Sequence, residues 1–153
     1  NQAKQLAVRL KDKYVVIIGS GAMGAVARRF SQDIAENAKQ FAAFFEIPEM
    51  QHNAISGFDF PKEIKTQVRV LMLESKYTEG LNRVRETILG QILQRKRIGY
   101  ETLFMHPSAG QIAEALQMIY MSAMSSYYLA LLNGVDPSRV PVQAKIKEQL
   151  IEE

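Results

Sequence analysis

A glycine-rich segment is the first part of the sequence whose residue types suggest ligand binding. Residues 19–24 read GSGAMG, which fits the pattern G-x-G-x-x-G, and they follow an apolar run at 15–18. In dinucleotide-binding domains such glycines let the backbone approach a pyrophosphate, which the helix N-terminus attracts. Glu46 follows Gly24 at about the distance expected for an acid that binds the ribose. The alternative is a purely structural role, because small residues form tight strand-to-helix turns in any α/β fold.

A carboxylate and an imidazole make a second candidate site. Glu36 opens the segment ENAK at 36–39, and His52 stands in the segment QHN at 51–53. Both residue types transfer protons in general acid–base catalysis. At 100° per residue, Glu36 lies roughly opposite the apolar stripe of its predicted helix. Each residue also has a simpler interpretation, Glu36 as a solvated glutamate and His52 as a capping or surface residue.

The composition limits the function classes. With 153 residues, 47% hydrophobic and 23% charged, the chain has the composition of one ordinary globular domain. Its net charge of +3 is too small to indicate a nucleic-acid partner. The sequence has no cysteine, which excludes disulfides and thiolate metal ligands, and it shows no signal-peptide pattern, so we expect a cytoplasmic protein. The uncharged stretch 115–135 is interrupted by serines and an asparagine, which favours a buried helix over a membrane span.

Strands alternate with helices along the chain. Apolar runs predict strands at 14–18, 41–45, 68–73 and 100–105. Helical spacing predicts helices at 2–11, 21–39, 79–97, 109–133 and 140–151, with a further helix after Pro48 and a loop at 57–65. The apolar positions are Met23, Val26, Ala27, Phe30 and Ile34 in one helix and Leu81, Val84, Ile88 and Ile92 in another. Ser108 and Gln111 are predicted to form a capping box.

This alternation predicts an α/β fold with a parallel sheet and helices on both faces. Such sheets bind ligands beyond the carboxyl ends of their strands. Four residues are expected at or just past those ends, namely Gly19, Glu46, Glu74 and His106.

A series of short motifs resembles the C-terminal half of the bifunctional phosphoglucose/phosphomannose isomerases, a family built from sugar-isomerase (SIS) domains. The motifs are AK-LA at 3–7, GS at 19–20, AVARRF at 25–30, ENAK at 36–39, PE at 48–49, HN at 52–53, GF at 57–58 and NGVDP at 133–137. The spacing from ENAK to HN is the most specific feature, and the resemblance covers nearly the whole chain. It implies a SIS-type three-layer sandwich over residues 1–153, the C-terminal half of a two-domain isomerase.

The resemblance also implies an activity and its residues. The family interconverts glucose 6-phosphate or mannose 6-phosphate with fructose 6-phosphate through a cis-enediol, without metal or nicotinamide cofactor. By this resemblance Glu36 matches the base, His52 matches the ring-opening histidine that enters from the partner subunit, and Lys147 matches a lysine of the site. The residues expected to bind the substrate are Ser20, Arg29, Asn37 and Asn53. We expect a symmetric homodimer with apolar surface of helix 109–133 at its interface.

Two departures from the family pattern qualify this expectation. The family pattern near Asn-His-Asn-Glu is replaced by Gln51-His52-Asn53-Ala54, which removes a carboxylate beside the histidine. The N-terminal SIS domain and the linker arginine that bind the sugar phosphate in the family have no match in this sequence. The alternatives are a non-catalytic sugar-phosphate-binding or dimerisation module and an NAD-binding Rossmann domain. The chain's length counts against a dehydrogenase.

Overall fold

Four parallel strands form the sheet in the computed structural model, which describes residues 1–105 and 110–151. They are β1 (Tyr14–Ser20), β2 (Ala42–Ile47), β3 (Val68–Glu74) and β4 (Gly99–Phe104), in the spatial order β2-β1-β3-β4. Each neighbouring pair is parallel, with Ile17 aligned with Phe44 on one side and with Leu71 on the other. Because the strand order reverses at β1, a crevice lies between the loops that follow β1 and β3.

Helices cover both faces of the sheet. The α-helices are α1 (Gln2–Leu10), α2 (Ala22–Ala38), α3 (Ile64–Gln67), α4 (Gly80–Lys96), α5 (Gln111–Asn133) and α6 (Pro141–Ile151). Two 3₁₀ helices span Glu49–His52 and Ala54–Asp59. The predicted α/β arrangement with helices on both faces is therefore confirmed, and the predicted long elements agree with the observed bounds to within two residues.

Two apolar cores hold the layers together, one on each face of β1. On one face α1, α2 and α5 pack on the sheet, with Phe30 and Ile34 of α2 fully buried against Ile17. On the other face Leu89 of α4 and Met50 of the first 3₁₀ helix are buried. A strand that is buried on both sides reads as a continuous apolar run, as residues 15–18 do. The apolar stripe predicted for α2 is buried as expected.

The segment after β2 differs from the prediction. The expected helix after Pro48 is two 3₁₀ helices, and the expected loop at 57–65 contains the end of the second of these and the start of α3. The side chain of Asn53 accepts a hydrogen bond from the N–H of Ala54, which gives the backbone an alternative to a continuous α-helix. Strand β2 also extends to Ile47, so Glu46 lies within the strand rather than past its end.

Helices α4 and α5 turn apolar side chains outward. In α4 the predicted apolar positions Leu81, Val84 and Ile88 are exposed, whereas Glu86, Leu89, Gly90 and Leu93 are buried. Helix α5 is partly buried, and it also exposes apolar side chains, as the expected interface on this helix requires. Its exposed side chains include Ile112, Leu116, Tyr120, Tyr127 and Leu131, and its buried ones include Glu114, Ser122, Ser125 and Ser126. Within the described ranges no helix is long and apolar enough to span a bilayer.

Two further predictions concern the chain before α5. His106 and Ser108 lie outside the described residues. Helix α5 begins at Gln111, and Gly110 is its N-cap, without a side-chain cap hydrogen bond. Gln111 is therefore the first residue of the helix rather than the third position that a capping box requires.

Candidate functional site

The glycine segment forms a tight turn from β1 into α2. A side chain at Gly19 would overlap the carbonyl of Met23, so only glycine fits where the helix crosses the strand end. Gly21 is the N-cap of α2 and has a φ of 53°, in the left-handed region that glycine adopts without strain. The predicted strand-to-helix turn is therefore confirmed. Beside it lies a cavity of about 110 Å³ between the loops after β1 and β3.

Buried carboxylates bond to two of the serines that line this cavity. The hydroxyl of Ser20 donates to Glu86 Oε1 at 2.6 Å, and the hydroxyl of Ser75 donates to Glu114. Glu86 is 2% exposed and Glu114 is 0% exposed. The expected substrate-binding hydroxyl of Ser20 is thus engaged with a carboxylate. Sequence analysis identified neither glutamate. For Glu114 a signal was available, because it is a single acidic residue near the start of the apolar helix α5.

A third carboxylate adds to the negative charge at this edge of the sheet. Glu74 ends β3, and Arg83 contacts both Glu74 at 3.5 Å and Glu86 at 3.3 Å. Burial raises the pKa of Glu74, repulsion from Glu86 raises it further, and Arg83 opposes both effects. Arg83 also donates to the backbone carbonyl of Ser75. The crevice is therefore predominantly acidic and poorly suited to an anion.

Glu36 lies in the last turn of α2, exposed and opposite the buried stripe as expected. Among the described residues its carboxylate has no hydrogen-bond or ion-pair partner, so it is available to a ligand. Its backbone carbonyl accepts a hydrogen bond from Lys39 Nζ at 2.6 Å. The side-chain amide of Asn37, a residue expected to bind substrate, donates to Ser126 Oγ of α5 at 2.8 Å.

Lys147 lies on α6, whose first turn is next to the end of α2. A cavity of about 330 Å³ between the two helices is lined by Ala35 and Lys39 on one side and by Pro141 and Val142 on the other. Lys147 is exposed, as is every described residue of α6. The structure thus places the helix of Lys147 beside the end of the helix that carries Glu36.

His52 lies at the opposite end of the domain. It ends the 3₁₀ helix that follows the carboxyl end of β2, on the face covered by α4. Helix α2 lies on the other face and runs from the carboxyl edge of the sheet towards the amino edge. Glu36 is 14 residues after Ala22, the first residue of α2, which places it about 20 Å along the helix at 1.5 Å per residue. Glu36 and His52 of one chain therefore lie too far apart to contact one small ligand together.

Two more residues expected to bind substrate have protein partners. Arg29 is exposed and pairs with Asp33 at 2.8 Å, and it lies two turns before Glu36 on the same face of α2. Asn53 donates to Glu49 Oε1 at 2.9 Å next to His52. Within the described part of the chain there is no cluster of three or more His, Asp or Glu residues that could hold a metal ion.

Comparisons with known proteins agree with this architecture. Residues 1–150 match the family model described as the bacterial phospho-glucose isomerase C-terminal SIS domain. A bifunctional phosphoglucose/phosphomannose isomerase from Caldicellulosiruptor bescii is 30% identical over 153 residues, which cover 99% of this chain and 45% of that protein. A second one, from Aquifex aeolicus, is 28% identical over 150 residues, covering 97% of this chain and 46% of that protein. The chain thus spans less than half the length of these relatives.

A solved structure shows the same fold. The glucose-6-phosphate isomerase like protein from Thermus thermophilus superimposes with a TM-score of 0.74 at 20% identity, over 93% of this chain and 47% of that one. The expected SIS-type sandwich is therefore confirmed. The match over nearly all of the sequence shows that this chain belongs to the bacterial phospho-glucose isomerase C-terminal SIS domain family.

Proposed function

We propose that the protein containing this chain interconverts glucose 6-phosphate or mannose 6-phosphate with fructose 6-phosphate, and that Glu36 is its catalytic base. The observation that carries this proposal is the position of Glu36, whose carboxylate is exposed and has no partner among the described residues, at a helix end whose carbonyl accepts a hydrogen bond from Lys39 Nζ. The two curated relatives named above carry the corresponding activity in their names. In accordance with a cysteine-free sequence, we place the reaction in the cytoplasm.

The proposed chemistry is a proton transfer between neighbouring carbons. The carboxylate of Glu36 removes the proton from C2 of the open-chain aldose, and the electron pair forms the C1–C2 double bond of the cis-enediol. The C1 carbonyl oxygen takes up a proton as the enediol forms. Return of the carbon-bound proton to C1, with loss of the O2 hydroxyl proton as the C2 carbonyl forms, then gives the ketose, so no oxidant or reductant is needed. The ammonium group of Lys147 stabilises negative charge on the enediol oxygens, and His52 transfers the proton that opens the ring.

Because Glu36 and His52 are far apart in one chain, we propose that His52 acts in the site of a partner subunit. A symmetric dimer can bring the two residues together twice, once in each of two equivalent sites. Helix α5 supports this assembly, since Ile112, Leu116, Tyr120 and Leu131 lie exposed along its length. Exposed apolar surface of this extent is typical of a protein–protein contact.

The phosphate of the substrate requires groups outside the crevice of this domain. A phosphate dianion there would meet the carboxylates of Glu74, Glu86 and Glu114, with Arg83 as the cation that pairs with two of them. We propose that this domain supplies the proton-transfer groups and that another domain of the same protein holds the phosphate. The chain thus contributes half of the proposed active site.

The test is the substitution Glu36→Gln in the full-length protein. It removes the base and keeps the side-chain size, so turnover should fall by roughly 10² to 10⁴, the usual contribution of a positioned base. The Michaelis constant and melting temperature should change little, because the phosphate is bound elsewhere and Glu36 is exposed. Glu63→Gln, at an exposed position on the other face, is the matched control. Undiminished turnover of Glu36→Gln would refute the proposal.

A further inference from the structure

The end of α2 has an unusual cap. Lys39, the C-cap residue, has φ 53° and ψ 31°, the left-handed conformation in which helices ordinarily place glycine. A side chain in this conformation is strained, so lysine is better than glycine here only if its side chain makes a contribution that glycine could not make. The Lys39 side chain makes such a contribution through its ammonium group.

The ammonium group of Lys39 joins two separate segments. Its Nζ donates to the carbonyl of Glu36 at 2.6 Å and to the carbonyl of Asp136 at 3.2 Å, with the carbonyl of Asn37 at 3.5 Å. Glu36 and Asn37 belong to the last turn of α2, whose carbonyls have no partner within the helix. Asp136 lies in the turn between α5 and α6. One cation thus links the two segments ENAK and NGVDP.

The side chains of Asn133 and Asp136 reinforce the same junction. Asn133, the last residue of α5, donates to the carbonyl of Ala38 at 3.1 Å and to Gln40 Oε1 at 3.0 Å. Asp136 in turn accepts hydrogen bonds from the backbone and the hydroxyl of Ser138 at 2.9 and 2.7 Å. The turn that leads into α6 is therefore held to the end of α2 by several polar contacts.

Helix α6 depends on this junction for its position. It has no buried residue, so no side chain anchors it in a core. Its first turn lies next to the end of α2, where Pro141 and Val142 line a cavity together with Ala35 and Lys39. Movement at Lys39 would therefore move both the backbone of Glu36 and the start of the helix that carries Lys147.

We propose that Lys39 is a positioning residue that sets the distance between Glu36 and Lys147. This inference rests on the proposed function, since it assigns a catalytic consequence to a structural contact. Lys39 does not touch the substrate. It acts by holding the last turn of α2 and the α5–α6 turn together, so that the base and the ammonium group of Lys147 meet the sugar in a fixed geometry.

The sharpest test is Lys39→Gly in the full-length protein. Glycine relieves the backbone strain but removes the ammonium group, so a cap of purely structural value predicts an unchanged or higher melting temperature and unchanged turnover. The proposal predicts that kcat falls about 10- to 100-fold with little change in KM, because small displacements of catalytic groups have effects of this size. Lys39→Arg keeps the cation and should retain most of the turnover.

Arg97→Gly is the matched control. Arg97 is also a cationic C-cap in the left-handed conformation, with φ 60° and ψ 34°, but it ends α4, which carries none of the proposed catalytic residues. Arg97→Gly should therefore leave kcat unchanged. Equal losses of kcat in the two variants would overturn the proposal.

Hydrogen exchange separates this inference from the proposed function. In Lys39→Gly, amides of residues 133–147 should exchange faster than in the wild type, whereas those of β3 should not. A fall in kcat without faster exchange overturns the positioning mechanism, and so does faster exchange with unchanged kcat. The proposed function fails independently if Glu36→Gln keeps its full turnover.

Discussion

The glutamates of this domain occupy two physical environments. Glu86 and Glu114 are buried and accept hydrogen bonds from the hydroxyls of Ser20 and Ser75, so their side chains are held in place at the carboxyl edge of the sheet. Glu36 is exposed and unpaired within the described chain. A buried, bonded carboxylate stabilises loops, whereas an exposed one at a fixed helix end can transfer protons. This contrast supports Glu36 rather than the buried acids as the base.

At the residue scale, Glu74→Gln should stabilise the folded state at neutral pH. The pKa of Glu74 is raised above 4.5 by burial and by Glu86, so its charged form is disfavoured in the folded protein. Above the folded pKa the wild type bears this penalty, and the neutral glutamine does not. The melting temperature of Glu74→Gln should therefore exceed that of the wild type at pH 7.

The advantage of Glu74→Gln should shrink as the pH falls through the folded pKa, and it should vanish below 4.5, where the glutamate is neutral in both states. Melting curves of both proteins between pH 7 and pH 4 test this, with Glu63→Gln as the exposed control. A lower melting temperature of Glu74→Gln at pH 7 would show that its contact with Arg83 outweighs burial.

At the element scale, the alternation of strands and helices along the sequence predicted most of the fold. The burial of the run 15–18 and of the apolar stripe of α2 was predictable from the sequence, because both pack in the cores of this one chain. Helices α4 and α5 were harder to predict, because their apolar faces are exposed and their inner faces hold Glu86 and Glu114. Apolar spacing cannot distinguish a face that packs in its own core from one that packs on another domain.

The candidate site was predictable only in part. The motif ENAK pointed to Glu36, and the helical period placed it on the exposed side of α2. The period could not show that Lys39 and Asn133 join this motif to the turn before α6, since that contact links residues 97 positions apart. The distance between Glu36 and His52 likewise follows from the sheet topology, and that topology cannot be read directly from the sequence.

The turn after β1 leads to a prediction about NAD. Its geometry resembles that of a dinucleotide-binding loop, but the adjoining cavity of about 110 Å³ is far smaller than the roughly 300 Å³ at which ligand sites begin. Carboxylates beside it would also repel a pyrophosphate. Millimolar NAD should therefore raise the melting temperature by less than about 1 °C. A shift of several degrees would contradict this expectation and restore the Rossmann alternative.

At the scale of the whole molecule, the two ends of the domain carry different halves of the proposed chemistry. Glu36 and the start of α6 lie towards the amino edge of the sheet, and His52 lies at its carboxyl edge on the opposite face. The 3₁₀ helix of His52 is held by Met50 in the second core, and Gln51 donates to the carbonyl of Arg85 at 3.0 Å. The helix of His52 is therefore anchored, and Lys39 and Asn133 hold the end of α2, so bending of one chain does not bring Glu36 and His52 together.

This separation predicts complementation between two inactive variants. If each site takes Glu36 from one subunit and His52 from the other, Glu36→Gln and His52→Ala should each have little turnover as pure proteins. In a mixed dimer one site contains both altered residues, and the other contains an intact Glu36 and an intact His52. Random pairing makes about half of the dimers mixed, so an equal mixture should recover about a quarter of the wild-type turnover.

Co-expression of the two full-length variants, each with a different affinity tag, allows the mixed dimer to be isolated and assayed. It should have about half of the wild-type turnover per dimer, because one of its two sites is intact. Mixed dimers that remain as inactive as their parents would show that Glu36 and His52 work within one chain, which the roughly 20 Å course of α2 opposes. A protein that stays monomeric at tens of micromolar in light scattering while retaining full turnover would also contradict the shared site.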